Sequence, residues 1–475
     1  MARLLVRYPP SYEPERRYAI DVVLGTILGL EYRAEPHDEA WTEIRLADET
    51  EGKRLLVTDG LFTTPGHAWL TPQSMPREPL HRWQVAQDLP EVAELVPNAP
   101  VLYGTARGAA WLVGDERELE LRLDVFGGAF FMLTRYEELV VPERDAHGRF
   151  PARASLAWRE GLLLRPIVDE YARILLACLR RLWPGLETRA RTPRLIVTHD
   201  VDWPLVPQGG LGATLRAAAA DVLRRRAPAV AVNRVRAYRG RRRGDHRFDP
   251  HNTFDFLMDA CEEQGLRSAF YFIAGHTAGR IDGEYTLDDP WISSLMRRIH
   301  DRGHEIGLHA SYASHDDPGA IAREFGSLMD AARRLGVEQA EWGGRQHFLR
   351  WQAPLTWRAW EAAGLAYDST VGFADHVGFR SGTCCEHRVF DVEERRTLAL
   401  RERPLVVMEA SLLRKDYMGL DHCSALQAAL ELRSRCEAFG GDFTLLWHNS
   451  QLLTAADRRV FLTLIDSGGR GGRTR

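Results

Sequence analysis

From Arg194 onward, short apolar runs alternate with amphipathic stretches. Leu195-Ile196-Val197-Thr198 and Ser268 to Ile273 are continuous apolar runs of strand length, the pattern of strands buried on both faces. Between them, Phe254, Leu257, Met258 and Cys261 follow i, i+3, i+4, i+7, which predicts a helix with Thr253 as N-cap and Gly265 just past its end. Asp289-Pro290 opens a second helix, through Leu295, Met296 and Ile299 to Gly303. Asp317-Pro318 opens a third, through Ile321, Phe325, Leu328 and Met329. Glu305 to Leu308, Pro404 to Met408 and Phe443 to Trp447 read as further strands, the last preceded by a Cys423 to Phe439 helix that Gly440-Gly441 stops. The repeat predicts parallel strands wrapped by helices. With no G-x-G-x-x-G or G-x-x-x-x-G-K motif after any strand, a (β/α) barrel is favoured over a nucleotide-binding open sheet.

The first part of the chain reads differently. Short apolar runs, Asp21 to Leu30 and Lys53 to Val57, are set among proline-rich loops. A helix follows from Pro166, with Ile167, Val168, Tyr171, Ile174, Leu175, Cys178, Leu179 and Leu182 on one face. Pro184-Gly185 stops it, and the polar LETRARTPR stretch reads as a linker. At 475 residues the chain exceeds what one core usually supports. The expected division is a smaller α/β N-terminal domain over 1–190 and a barrel over 191–475.

Composition adds little at first. Hydrophobic residues at 45% and charged residues at 27% are those of a soluble globular chain, and no apolar run approaches the ~18 residues that span a bilayer. The N-terminus reaches two prolines and a charge run before any secretory core could form, so a cytoplasmic location is the expectation. The six cysteines form no disulfide framework and no C-x-x-C motif, and the adjacent Cys384 and Cys385 are read as bystanders. The net charge of −4 gives no general case for nucleic acid. Locally, however, Arg216 to Arg247 holds eleven arginines against Asp221 and Asp245. This marks a basic helical insertion near 205–250, readable as a solvated insertion or as a peripheral contact with an anionic membrane.

In a barrel, catalytic groups sit where strands end at the C-terminal face. The first strand ends Thr198-His199-Asp200-Val201-Asp202, and two carboxylates there can divide cation binding from proton abstraction. The strand from Glu305 ends at His309, with His315 six residues on, a pairing suited to cations that take mixed nitrogen and oxygen ligands. Arg345, in Gly343-Gly344-Arg345-Gln346-His347, could hold a carboxylate ionised. The last strand ends at His448, where an imidazole could act as general acid.

THDVD, the HASYASH block, GGRQHFLR, YDSTVGFADHVGFRSGT and LLWHNS, in that order over about residues 194–455, resemble the successive motifs of the polysaccharide deacetylase (NodB-homology, carbohydrate esterase family 4) superfamily. The resemblance is to a bacterial branch with an N-terminal domain of no known function, to which DVFGGAFFMLTRYEE near Asp124 to Glu138 is similar. It implies a distorted (β/α) barrel of about seven strands and a divalent metal, often zinc, held by Asp-His-His. Carried over, Asp200 matches the general base, Asp202 and His309 metal ligands, Arg345 the residue that orients the base, and His448 the general acid. The family's second histidine falls four residues after the first, but position 313 here is alanine. The third ligand is therefore expected at His315, reached through a loop, with His347 or a site lacking a third ligand as alternatives.

The expected activity is metal-dependent removal of N-acetyl groups from an amino sugar or glycan precursor. Hydrolysis of small cyclic amides or ureides is the rival within enzymes, and a noncatalytic carbohydrate-binding barrel the rival outside them.

Overall fold

The computed structural model describes residues 3–48, 52–105, 110–207 and 209–466. The N-terminal part is built on a mixed sheet of six strands: β1 (Leu4–Tyr8), β2 (Tyr32–Pro36), β3 (Thr42–Leu46), β4 (Arg54–Val57), β5 (Leu112–Gly114) and β6 (Glu118–Leu121). Their order is β2-β1-β3-β4-β6-β5. Helices α1 (Glu13–Ile20), α2 (Val125–Leu133) and α3 (Ile167–Leu182) accompany it, with α2 packed between the other two and α3 also lying against β4 and β6. All nine residues of α2 are buried, so it is a core helix rather than an amphipathic one. Asp124 caps it through Gly127 N (2.7 Å) and also accepts Gly60 N (2.8 Å) and Leu61 N (2.9 Å).

The second part carries nine strands in one sheet: β7 (Arg194–Val201), β8 (Ser268–Ile273), β9 (Glu305–Ala310), β10 (Gly343–Gln346), β11 (Tyr367–Asp368), β12 (His387–Asp391), β13 (Arg396–Glu402), β14 (Val407–Met408) and β15 (Asp442–Leu446). The order is β12-β13-β11-β10-β9-β8-β7-β15-β14, parallel throughout except for the β12–β13 pair. The expectation of about seven strands is thus corrected to eight parallel strands and one antiparallel strand. The hydrogen-bonded ladder runs from β12 to β14 and does not close into a ring. It is nevertheless strongly curled. Strands three apart in a flat sheet lie about 14 Å from one another, yet Asp200 on β7 and Arg345 on β10 are joined at 2.7 Å. That curl gathers the strand ends onto one concave site.

Local details depart from the pattern reading. The strand expected over Pro404 to Met408 is only Val407–Met408, and the longer neighbour β13 was missed. In β13 the buried Leu398 and Leu400 alternate with exposed Thr397 and Ala399, a period-two signal carried by two leucines alone. Thr253 starts the helix Phe254–Glu263 without capping it, because its hydroxyl donates to Asn449 O (2.8 Å). Close strand approach requires glycine at position 344, where an added Cβ would lie 1.8 Å from Leu308 O. The basic stretch forms two helices, α4 (Leu211–Leu223) and α5 (Pro228–Gly240), packed on each other. No described helix is long and apolar enough to cross a membrane.

A buried network of charges joins the two parts. Arg380 donates to both carboxylate oxygens of Glu138 (2.9 and 2.6 Å), while Arg135 donates to Glu138 (2.8 Å), to Glu137 (2.6 Å) and to Arg380 O. Two guanidinium groups against two carboxylates balance the charge, and each group has several partners, the conditions under which ions tolerate burial. Asp169 on α3 similarly accepts Cys385 Sγ at 3.1 Å, which accounts for the adjacent cysteines as packing groups.

Candidate active site

Asp200 lies in β7 and Asp202 one residue beyond it; Arg345 lies in β10 and His347 one residue beyond it. Each is an i, i+2 pair at a strand end, so both members face the same side of the sheet. His309, inside β9, completes the group from between them. His448 follows β15 by two residues, and Glu409 directly follows β14. The structure thus brings together Asp200, Asp202, His309, Arg345 and His448, each named from sequence, together with His347, named there as an alternative ligand, and adds Glu409.

Asp202, His309 and His347 present ligand atoms that all lie within 4.8 Å of one another. His309 Nε2 is 3.1 Å and His347 Nε2 3.7 Å from Asp202 Oδ1. The other nitrogen of each ring is engaged. His309 Nδ1 faces Arg345 O at 2.9 Å, and His347 Nδ1 faces Asp282 Oδ1 at 2.9 Å. Donation from Nδ1 leaves Nε2 with its lone pair directed at a carboxylate oxygen, an arrangement that needs a proton or a cation between them. Asp202 Oδ1 and His347 Nε2 are in fact buried without a hydrogen-bond partner. Burial alone would lower the His347 pKa, but the Asp202 carboxylate, aided by Asp282, raises it to about 9. The same field that holds a proton there would hold a metal ion, so these residues fit a divalent cation with two nitrogens and one oxygen.

His315 is not in this group. Ser311 to Ser314 form a turn, with Ser314 N on Ser311 O (3.1 Å) and Asp317 N on Ser314 O (3.0 Å). The turn carries His315 away from the cleft, where its carbonyl accepts Thr356 Oγ1 (2.7 Å) and its Nδ1 lies 3.5 Å from Asp316. His315, expected as the third ligand, thus lies outside the group, and the alternative named beside it, His347, lies within it.

Asp200 accepts Arg345 Nη1 at 2.7 Å with both side chains buried. Arg345 is held in turn by Ser369, through its carbonyl (2.8 Å) and hydroxyl (3.0 Å). Burial favours the neutral acid, but the guanidinium overrides it and keeps Asp200 below the usual carboxylate range. On the opposite side, His448 Nε2 is 3.5 Å from Asp202 Oδ2 and its Nδ1 is 2.5 Å from Glu409 Oε1. Burial works against the imidazolium, and Glu409 outweighs it, lifting the pKa to about 10. An ionised carboxylate and a protonated imidazole thus flank the metal-type cluster.

These groups open into a cleft of about 500 Å³. The N-terminal part contributes Arg149 to its lining. Arg149 donates to Phe348 O (3.0 Å) and Tyr417 OH (3.3 Å), and Arg350 Nε donates to His147 O (2.8 Å). Phe348 and Leu349, directly after His347, both adopt the left-handed conformation (φ 61° and 53°), a strained backbone of the kind that clusters at functional sites.

Comparison with known proteins adds a family of unknown function (DUF7033), whose model matches residues 4–184. No curated protein matches the chain. Among solved structures it is similar to a Mycobacterium smegmatis protein assigned provisionally as a polysaccharide deacetylase, with 19% identity, 59% of this chain and 86% of that one covered, and a TM-score of 0.35. It is also similar to the Puue allantoinase, with 11% identity, 60% and 85% covered, and a TM-score of 0.33. At such scores neither likeness bears on the chemistry, which rests on the residues themselves.

Proposed function

We propose that this chain is a metal-dependent hydrolase of carbon–nitrogen amide bonds that removes an N-acetyl group from an amino sugar or glycan precursor. The observation that carries the reading is the convergence of Asp202, His309 and His347 on one buried point, flanked by a carboxylate held ionised and an imidazole held protonated. Asp202, His309 and His347 would hold the cation. When bound there, a divalent ion such as zinc supplies Lewis-acid polarisation of a carbonyl and makes water more acidic.

The chain's own groups divide the proton transfers. Asp200, kept ionised by Arg345, accepts the proton of the attacking water. His448, kept charged by Glu409, gives a proton to the departing nitrogen. Opposite protonation states within one cleft are what amide hydrolysis needs, since one proton is taken and another returned. Acetate and a free amine leave. The cleft, open on one side and bordered by Phe348, Tyr417 and Trp203, can place aromatic faces against a sugar ring.

The test is metal content by mass spectrometry on purified protein, coupled to acetate release from N-acetylated amino sugars. Stoichiometric metal with acetate release supports the reading. Metal with ureide hydrolysis and no acetate would replace it with the cyclic-amide rival; glycan binding with neither metal nor turnover would make the chain a noncatalytic barrel.

A further inference from the structure

The α4–α5 hairpin has its amphipathic character inverted. The residues packed inside it are small or charged: Ala218, Ala231, Ala237, and Asp221 held by Arg234 Nε at 2.7 Å. Its large aliphatic side chains point outward, with Leu211 52%, Leu215 51%, Val222 45%, Leu223 79% and Val232 50% exposed. At 100° per residue, positions 211, 215 and 222 fall within about 40° of one another on α4, so they form one stripe rather than scattered exposures. A solvated insertion would show the reverse pattern, with leucines inside and polar residues out.

Charge accompanies the stripe. Arg216, Arg224, Arg226, Arg239 and Arg243 are exposed, and none forms an ion pair with a described residue. Arg236 and Arg247 lie over the half-exposed ring of Phe248, at 5.2 and 5.9 Å. Eleven arginines and two aspartates between 216 and 247 belong to a chain whose overall charge is −4, so the rest of the molecule is negative and the positive charge is concentrated here. Exposed aliphatic side chains and unpaired arginines carried by the same hairpin match an interface that offers both hydrocarbon and phosphate. Nucleic acid would use the arginines and leave the leucines unexplained.

The hairpin is also tied to the catalytic cleft. A second cavity of about 530 Å³ runs between its base and the barrel, with Tyr238 and Arg241 on one wall and Trp291 and Tyr285 on the other. Trp203 borders both this cavity and the cleft.

We infer that α4 and α5 form a docking surface for an anionic phospholipid bilayer, the aliphatic stripe entering the headgroup region and the arginines facing phosphates. The surface does not depend on the reaction proposed above. Docking there would hold the chain at the membrane through an element that Trp203 links to the cleft.

The test is sedimentation of the full chain with vesicles of phosphatidylcholine alone, or mixed in equal parts with phosphatidylglycerol. Binding is expected only to the anionic vesicles and should weaken as salt is raised, since exposed charges are screened. The triple variant Arg224→Gln, Arg226→Gln, Arg239→Gln should bind roughly a hundredfold more weakly, on the basis of roughly fivefold per arginine near a charged surface. The triple variant Leu211→Ser, Leu215→Ser, Val222→Ser should lose at least about tenfold, and its far-UV circular dichroism should match the parent because all three positions are exposed. No sedimentation of the parent, or equal binding to both vesicles, would overturn the inference. So would a serine variant that binds like the parent, and if duplex DNA then displaced both proteins the surface would be a nucleic-acid one.

Discussion

His347 Nδ1 lies 2.9 Å from Asp282 Oδ1, and Asp282 is itself fixed by Tyr312 N (2.7 Å) and Ala278 N (2.8 Å). A buried carboxylate with two backbone donors behind it orients the ring so that Nε2 faces Asp202, the outer-shell arrangement typical of a ligating histidine. Replacing His347 with Ala should therefore abolish stoichiometric metal binding. Asp282→Asn should weaken it 10- to 100-fold, and His315→Ala should leave it unchanged. Metal titrations of the three variants check the order; loss in His315→Ala with retention in His347→Ala would reverse the assignment.

Because Asp202 and Asp282 lift the His347 pKa to about 9, the metal-free ring carries a proton at neutral pH. Cation binding must displace it. Metal affinity should rise with pH up to about 9, and adding metal to the unloaded protein at pH 7 should release protons, measurable in weakly buffered solution. Affinity that is flat between pH 6 and 8 would exclude His347 as a ligand that titrates in this way.

Asp200→Asn removes the proton acceptor but keeps the side chain's shape beside Arg345. Turnover should fall on the order of 10²-fold or more with metal content unchanged. Near-parental acetate release would exclude Asp200 as the base.

Glu409 acts through His448. With the carboxylate in place the imidazolium persists up to about pH 10, and since the protonated form is the donor, activity should be lost as pH rises through that value. Glu409→Gln removes the main influence raising the pKa, so the alkaline limb of the kcat profile should move to lower pH, toward the ordinary histidine value of about 6.5. A limb that stays in place would show Glu409 to be merely structural.

Glu138 predicts a stability effect far from the cleft. Burial disfavours its charge, but Arg380 and Arg135 hold its pKa below the usual glutamate value. A depressed carboxylate stabilises the fold above its unfolded pKa of about 4.3, and that contribution is lost as pH falls through the folded value. Glu138→Gln leaves two guanidinium groups facing one carboxylate and should cost about 3–5 kcal/mol, seen as a lower denaturation midpoint at pH 7 and a shallower acid dependence.

The parallel repeat and most strand ends were legible because buried strands and amphipathic helices carry strong local periodicity. The third ligand was harder. A search for two histidines on one segment leads to His315, yet Ser311 to Ser314 turn the chain and the ligand comes from the neighbouring strand. The available signal was the repeated i, i+2 spacing, since Arg345 and His347 copy the geometry of Asp200 and Asp202. Glu409 had no such signal. It follows a strand of only two residues, Val407–Met408, and becomes a partner of His448 only because that strand pairs with β15, which sets Met408 beside Leu446. The Arg380 to Glu138 contact spans 242 positions and no local pattern could show it.

Arg149 makes the cleft a shared property of both parts of the chain, since its guanidinium is anchored by Asp145 on one side (2.7 Å) and reaches Phe348 O on the other. An engineer who transplanted this curled sheet onto another N-terminal part would transplant an incomplete pocket. Substrate preference could then drift through substitutions near residue 149 that never touch a strand end, which makes that loop the place to look for natural or designed changes in selectivity.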